Sequence, residues 1–115
     1  MGLNSEHRMG NDVTRTGDHA RFDPARYTKA ELIRGAGLFL GLNCFEPGQA
    51  QAAHTHENSE KFYLVLEGKA RMRIGDATPV AGAGDLVWAP AGVIHGVEEA
   101  LERTVLLVGM SPPPR

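Results

Sequence analysis

Apolar residues in this chain come in short runs broken by glycine and proline, with no long helical stripe. Five runs read as strands: GLFLGLNCF (37–45), KFYLVLEG (61–68), KARMRIG (69–75), DLVWAP (85–90) and RTVLLVGM (103–110). KARMRIG alternates cleanly, Ala70, Met72 and Ile74 on one face and Lys69, Arg71 and Arg73 on the other, because successive strand side chains point to opposite sides. Glu67-Gly68 and Gly75-Asp76 fit hairpin turns at the two ends of that strand. Only PARYTKAEL, near 24–32, suits a helical turn. Short strands at this spacing predict an all-β sandwich or barrel.

A length of 115 residues bounds the chain to one core. The expected division is a polar N-terminal tail or swapped arm over 1–20, a β domain over 21–110 and a tail over 111–115. A formal charge of −2 with interspersed signs gives no field that would gather nucleic acid or anionic lipid, so neither is an expected partner. Cys44 is the one cysteine, which excludes an intrachain disulfide and any CxxC motif and fits a reducing, cytoplasmic setting. No segment approaches the roughly 18 apolar residues that a spanning helix needs.

Chemistry concentrates in two places. In HTHENSEKFYLVLEG, residues 54–68, His54 and His56 are two apart, so on an extended strand both imidazoles share a face and suit one divalent ion. A lone HxH also occurs in polar turns. The second place is GDLVWAPAGVIHGVE, residues 84–98, where Pro90 fixes φ, Gly92 permits a reversal, and His95 follows in a set direction.

Together these segments resemble the two motifs of the cupin superfamily. Gly48, His54, His56, Glu60 and Gly68 match the first, and Gly84, Pro90, Gly92 and His95 the second, with the short spacing of small bacterial RmlC-like cupins. The resemblance implies a single-domain jelly-roll barrel (double-stranded β-helix) in which His54, His56 and His95 converge on a divalent transition metal (Fe, Mn, Zn, Ni or Cu). It also implies a homodimer. The family's acid is ambiguous here: counted forward from His56 it falls on Glu60, and counted back from Gly68 on Lys61. One residue of register moves a side chain to the opposite face, so Glu60 reaches the metal only if a bulge or turn re-aims it. The family's asparagine is replaced by Glu99.

Tyr63 shares a face with Lys61 and Val65; if that face is interior, its hydroxyl is placed to bind substrate or donate a proton. Glu60, if off the metal, is a candidate base. Trp88, Phe39, Phe45 and Phe62 read as core, and Lys69, Arg71 and Arg73 as a solvated face. Three histidines leave coordination positions open, so the expectation is a metal-dependent enzyme (dioxygenase, isomerase or decarboxylase) acting on a small polar molecule. The alternative is a non-catalytic cupin that binds a sugar-like or carboxylate ligand.

Overall fold

The computed structural model of the protein describes residues 12–114. Nine strands occur among them: β1 Thr28–Arg34, β2 Phe39–Phe45, β3 Gln51–His54, β4 Glu60–Glu67, β5 Lys69–Ile74, β6 Val80–Gly82, β7 Leu86–Ala89, β8 His95–Ala100 and β9 Thr104–Ser111. They form two antiparallel sheets, β1-β2-β9-β4-β7 and β3-β8-β5-β6, facing each other as an all-β jelly roll. Phe45, Tyr63, Val65, Met72, Val97 and Leu106 fill the space between them.

All five expected strands are present. The expected alternation in β5 holds, with Ala70 and Met72 fully buried while Arg71 and Arg73 pair with Glu99 and Glu98 at 3.7 and 3.6 Å. Gly75-Asp76 is a two-residue hairpin turn, closed by paired backbone bonds between Ile74 and Ala77. Glu67-Gly68 is not a hairpin, because β4 and β5 lie in different sheets. Gly68 sits at the corner where the chain changes sheet, with φ +90° and the Arg103 carbonyl against the space a Cβ would fill.

The stretch expected to hold a helical turn is instead β1 from Thr28 onward, paired along β2 with one irregularity between Glu31 and Ile33. Part of the expected N-terminal tail or arm can be described. Residues 1–11 lie outside the described residues, but Thr16–His19 form a 3-10 turn, and Ala20 and Phe22 pack on the outer face of the five-stranded sheet against Leu42, Cys44 and Val105. Arg103 caps that packing, its guanidinium 3.6 Å from the Phe22 ring centroid. Trp88 departs from its core reading: it stands on the outer face, 51% exposed. No helix among the described residues is long and apolar enough to cross a membrane.

Candidate metal centre

His54 is the last residue of β3, and its register partner across the sheet is His95, the first residue of β8. His56 lies just beyond the strand end, and the turn there is tied to the Pro90–Gly92 bend by a bond from the Gly92 N–H to the His56 carbonyl, 2.9 Å. The two motifs thus meet through backbone contacts, not only through their side chains. The imidazole centroids lie 4.4 Å (His54–His95), 4.9 Å (His54–His56) and 5.3 Å (His56–His95) apart. One nitrogen from each falls within 4.8 Å of the others. Tetrahedral bonds of about 2.1 Å separate donors by about 3.4 Å, so small ring rotations bring the trio onto one ion.

The orientation of the rings fits that use. Nδ1 of His54 lies 3.0 Å from the Ala52 carbonyl and Nδ1 of His95 3.0 Å from the Val93 carbonyl. A carbonyl only accepts, so both Nδ1 atoms carry the proton and both Nε2 atoms keep a lone pair. Nε2 of His95 is buried without a hydrogen-bond partner. Leaving a buried polar atom unpaired costs about 1–3 kcal/mol, which a coordinated metal would remove. Burial lowers the pKa of all three histidines, with the Lys61 charge adding to the effect, and takes His95 down to about 4. Neutral imidazoles are what a metal requires. The residues present therefore fit a divalent ion held by His54, His56 and His95.

Glu60 is not the fourth ligand. It is exposed at the start of β4, beside Phe62 and Trp88 in a shallow outer crevice, and the structure does not bring it to the histidines. Strand parity is the reason: Lys61, Tyr63 and Val65 point inward, so Glu60 points out, and no bulge intervenes at this end of β4. The same geometry removes Glu60 as a base. Tyr63 does face inward as expected, but its hydroxyl donates to Oε1 of Gln51 at 2.9 Å, and burial raises its pKa above the ordinary phenol value. Nε2 of Gln51 in turn donates to the Tyr27 hydroxyl at 3.2 Å. The hydroxyl proton of Tyr63 is thereby committed to Gln51.

His54 and His56 open on a cavity of about 720 Å³ whose wall also includes Tyr27, Lys29, Gln51, Lys61 and Met110. Lys61 is 4% exposed, with its ammonium 4.8 Å from the Tyr63 ring centroid. Burial, and then the charge of Lys29, lowers its pKa to about 8, so it remains mostly protonated near neutrality. Tyr27, Lys29 and Gln51 escaped the sequence reading. Tyr27 and Lys29 lie in the stretch given to a helical turn, and Gln51 lies on a strand of four residues too short to show a period.

A jelly roll of this topology with three converging histidines defines a class, and the comparisons agree with it. The Cupin domain family profile matches residues 41–108, and the chain belongs to the cupin superfamily. A second profile, Cysteine dioxygenase type I, matches residues 6–74, a span that ends before His95. The crystal structure of TT1209 from Thermus thermophilus superposes with a TM-score of 0.84 and 34% identity, covering 90% of this chain and 99% of that one. An uncharacterized protein of Streptomyces coelicolor is 30% identical over 83 residues, 72% of this chain and 78% of its own. Human cysteine dioxygenase type 1 is 34% identical over 61 residues, 52% of this chain but only 30% of that enzyme's length.

Proposed function

We propose that the protein is a metal-dependent enzyme of the dioxygenase type, acting on a small polar molecule held in the cavity beside His54, His56 and His95. The observation that carries this reading is the unpaired, buried Nε2 of His95 aimed at two further imidazoles. Three protein ligands leave positions free for a substrate, as catalytic rather than structural sites do. The match to the Cysteine dioxygenase type I profile favours dioxygenation over isomerisation or decarboxylation.

A redox-active divalent metal at the histidines would supply the one-electron chemistry that dioxygen needs. This chain's own residues do the rest. The Ala52 and Val93 carbonyls hold two rings in the ligating tautomer. The Tyr63–Gln51–Tyr27 chain fixes one wall, and because the Tyr27 hydroxyl accepts from Gln51 its proton is free to donate to a bound molecule. Met110 and Phe39 make part of the wall apolar, which keeps water from crowding the reacting groups.

One observation favours a second reading, a non-catalytic ligand-binding cupin: Lys61 stands inward where the family motif has an acid, and an ammonium there opposes a cation. Metal analysis separates the two. Protein from rich medium is expected to hold close to one transition metal per chain, with metal lost from His54→Ala and His95→Ala and unchanged in Glu60→Gln. Metal-loaded protein is then expected to consume dioxygen with some member of a panel of small thiols and hydroxy acids. Metal-free wild-type protein would overturn the metal reading, and loaded protein inert toward the whole panel would overturn the dioxygenase reading.

A further inference from the structure

The charge of the cavity points to a class of ligand. Lys61, almost wholly buried, has no ion pair or hydrogen bond to a carboxylate among the described residues, and neither does Lys29 nearer the mouth. Among the described residues the one acid on the cavity wall, Glu31, is committed to Arg34 at 3.1 Å. Glu60 lies outside the barrel, so a metal on three neutral imidazoles would keep its full charge. A buried cation without a counter-charge is strongly unfavourable unless something pairs with it. The wall therefore presents two ammoniums beside a cation site, with no anion among the described residues left to balance them.

We propose that this cavity binds a small organic carboxylate, with Lys61 as its ion-pair partner deep in the barrel and Lys29 assisting at the mouth. The inference rests on the reading of the cavity as the substrate site, and it names that substrate as an anion, excluding neutral sugars. Lys61 then serves as a specificity residue in the place of the acid that the first motif leads one to expect. It draws the ligand's charge toward the metal-binding end, where an acidic ligand would have repelled it. The same ammonium rejects cationic molecules, so discrimination is built by repulsion as well as attraction.

Calorimetric titration of the full chain, as purified and after chelator treatment, tests the proposal with malonate, its neutral diamide and inorganic phosphate. Malonate is expected to bind in both states and the diamide in neither. Lys61→Met should weaken malonate binding by about tenfold or more, Lys29→Met by less, and Lys61→Arg should retain most of it. Lys61→Met should also melt at or above the wild-type temperature without ligand, which a merely structural lysine would not allow. Malonate binding unchanged in both methionine variants, equal binding of the diamide, or phosphate binding with malonate silent would each overturn it. Metal content decides the histidine reading separately: metal absent with malonate binding intact sinks that reading alone, and metal present with lysine-independent binding sinks this one alone.

Discussion

Lys61 and Glu60 are neighbours in sequence with opposite fates. Lys61 carries a measurable signature. In the unfolded chain its amine titrates at the ordinary 10.5, and in the folded protein at about 8. Between those values the unfolded chain holds the extra proton, so stability rises with pH across that window and the full penalty is present below it. The shift corresponds to on the order of 3 kcal/mol. Chelated wild-type protein in a buffer free of carboxylates is expected to show a higher urea midpoint near the upper end of the window than at neutrality. Lys61→Met should lack that rise and exceed the wild type at neutral pH; equal pH profiles for the two proteins would refute a buried, charged Lys61. Sequence could not choose between the two residues because β4 is apolar on both faces. Tyr63 and Val65 point in while Phe62 and Leu64 point out against half-buried surroundings, so hydrophobic alternation, the usual guide to parity, is absent. The histidines were legible because their spacing is tied to backbone devices that show in sequence: an i, i+2 pair and a Pro-x-Gly bend.

At the scale of elements, the site depends on how closely β3 approaches β8. Gly96 follows His95, and a Cβ there would meet the Gln51 carbonyl at 2.8 Å and the Ala53 Cα at 3.0 Å. Both contacts are backbone, which cannot swing aside as a side chain tip can. Gly96→Ala is therefore expected to push β3 away, part His54 from its register partner His95, and cost about 1–3 kcal/mol of stability. Metal affinity should fall by about tenfold or more, as when the support of a ligand is disturbed. Gly82→Ala, whose nearest atom is the Gly68 carbonyl at 3.9 Å, is the control and should match the wild type in chelator competition. Equal metal retention by both variants would show that strand approach does not set the site. The strands missed from sequence hide their period for different reasons. β1, TKAELIR, consists largely of good helix formers and is held extended by pairing with β2, a tertiary override of local preference. β3 and β6, of four and three residues, are too short for a period to show. In β8 the polar pair Glu98-Glu99 and a register shift opposite Arg71 and Met72 break the alternation.

For the whole molecule, the uncovered part of the outer face of the five-stranded sheet is where a contact between copies is expected. Its β1-β2-β9 half is covered by Ala20 and Phe22, but the β4-β7 half is not. There Leu86 is 67% and Trp88 51% exposed, paired across the ladder with Leu64 and Phe62. Water contact with such a contiguous apolar strip is costly, and a second copy is the occupant that suits it. The centre of the strip carries no charge, so a twofold contact of the face with itself meets no like-charge repulsion, whereas a charged partner would gain nothing there. A homodimer through β4 and β7 would leave the cavity mouth, with Lys29 on β1 at the opposite edge of the sheet, open to solvent. Trp88 is the chain's single tryptophan, so its emission reports on this face and not on the metal centre. Wild-type protein is expected to sediment as a dimer at micromolar concentration, with emission shifting to the red on dilution. Trp88→Glu should sediment as a monomer with unchanged metal content, because the substitution lies outside the barrel. A wild-type monomer at high concentration, or a Trp88→Glu dimer, would place the contact elsewhere or remove it.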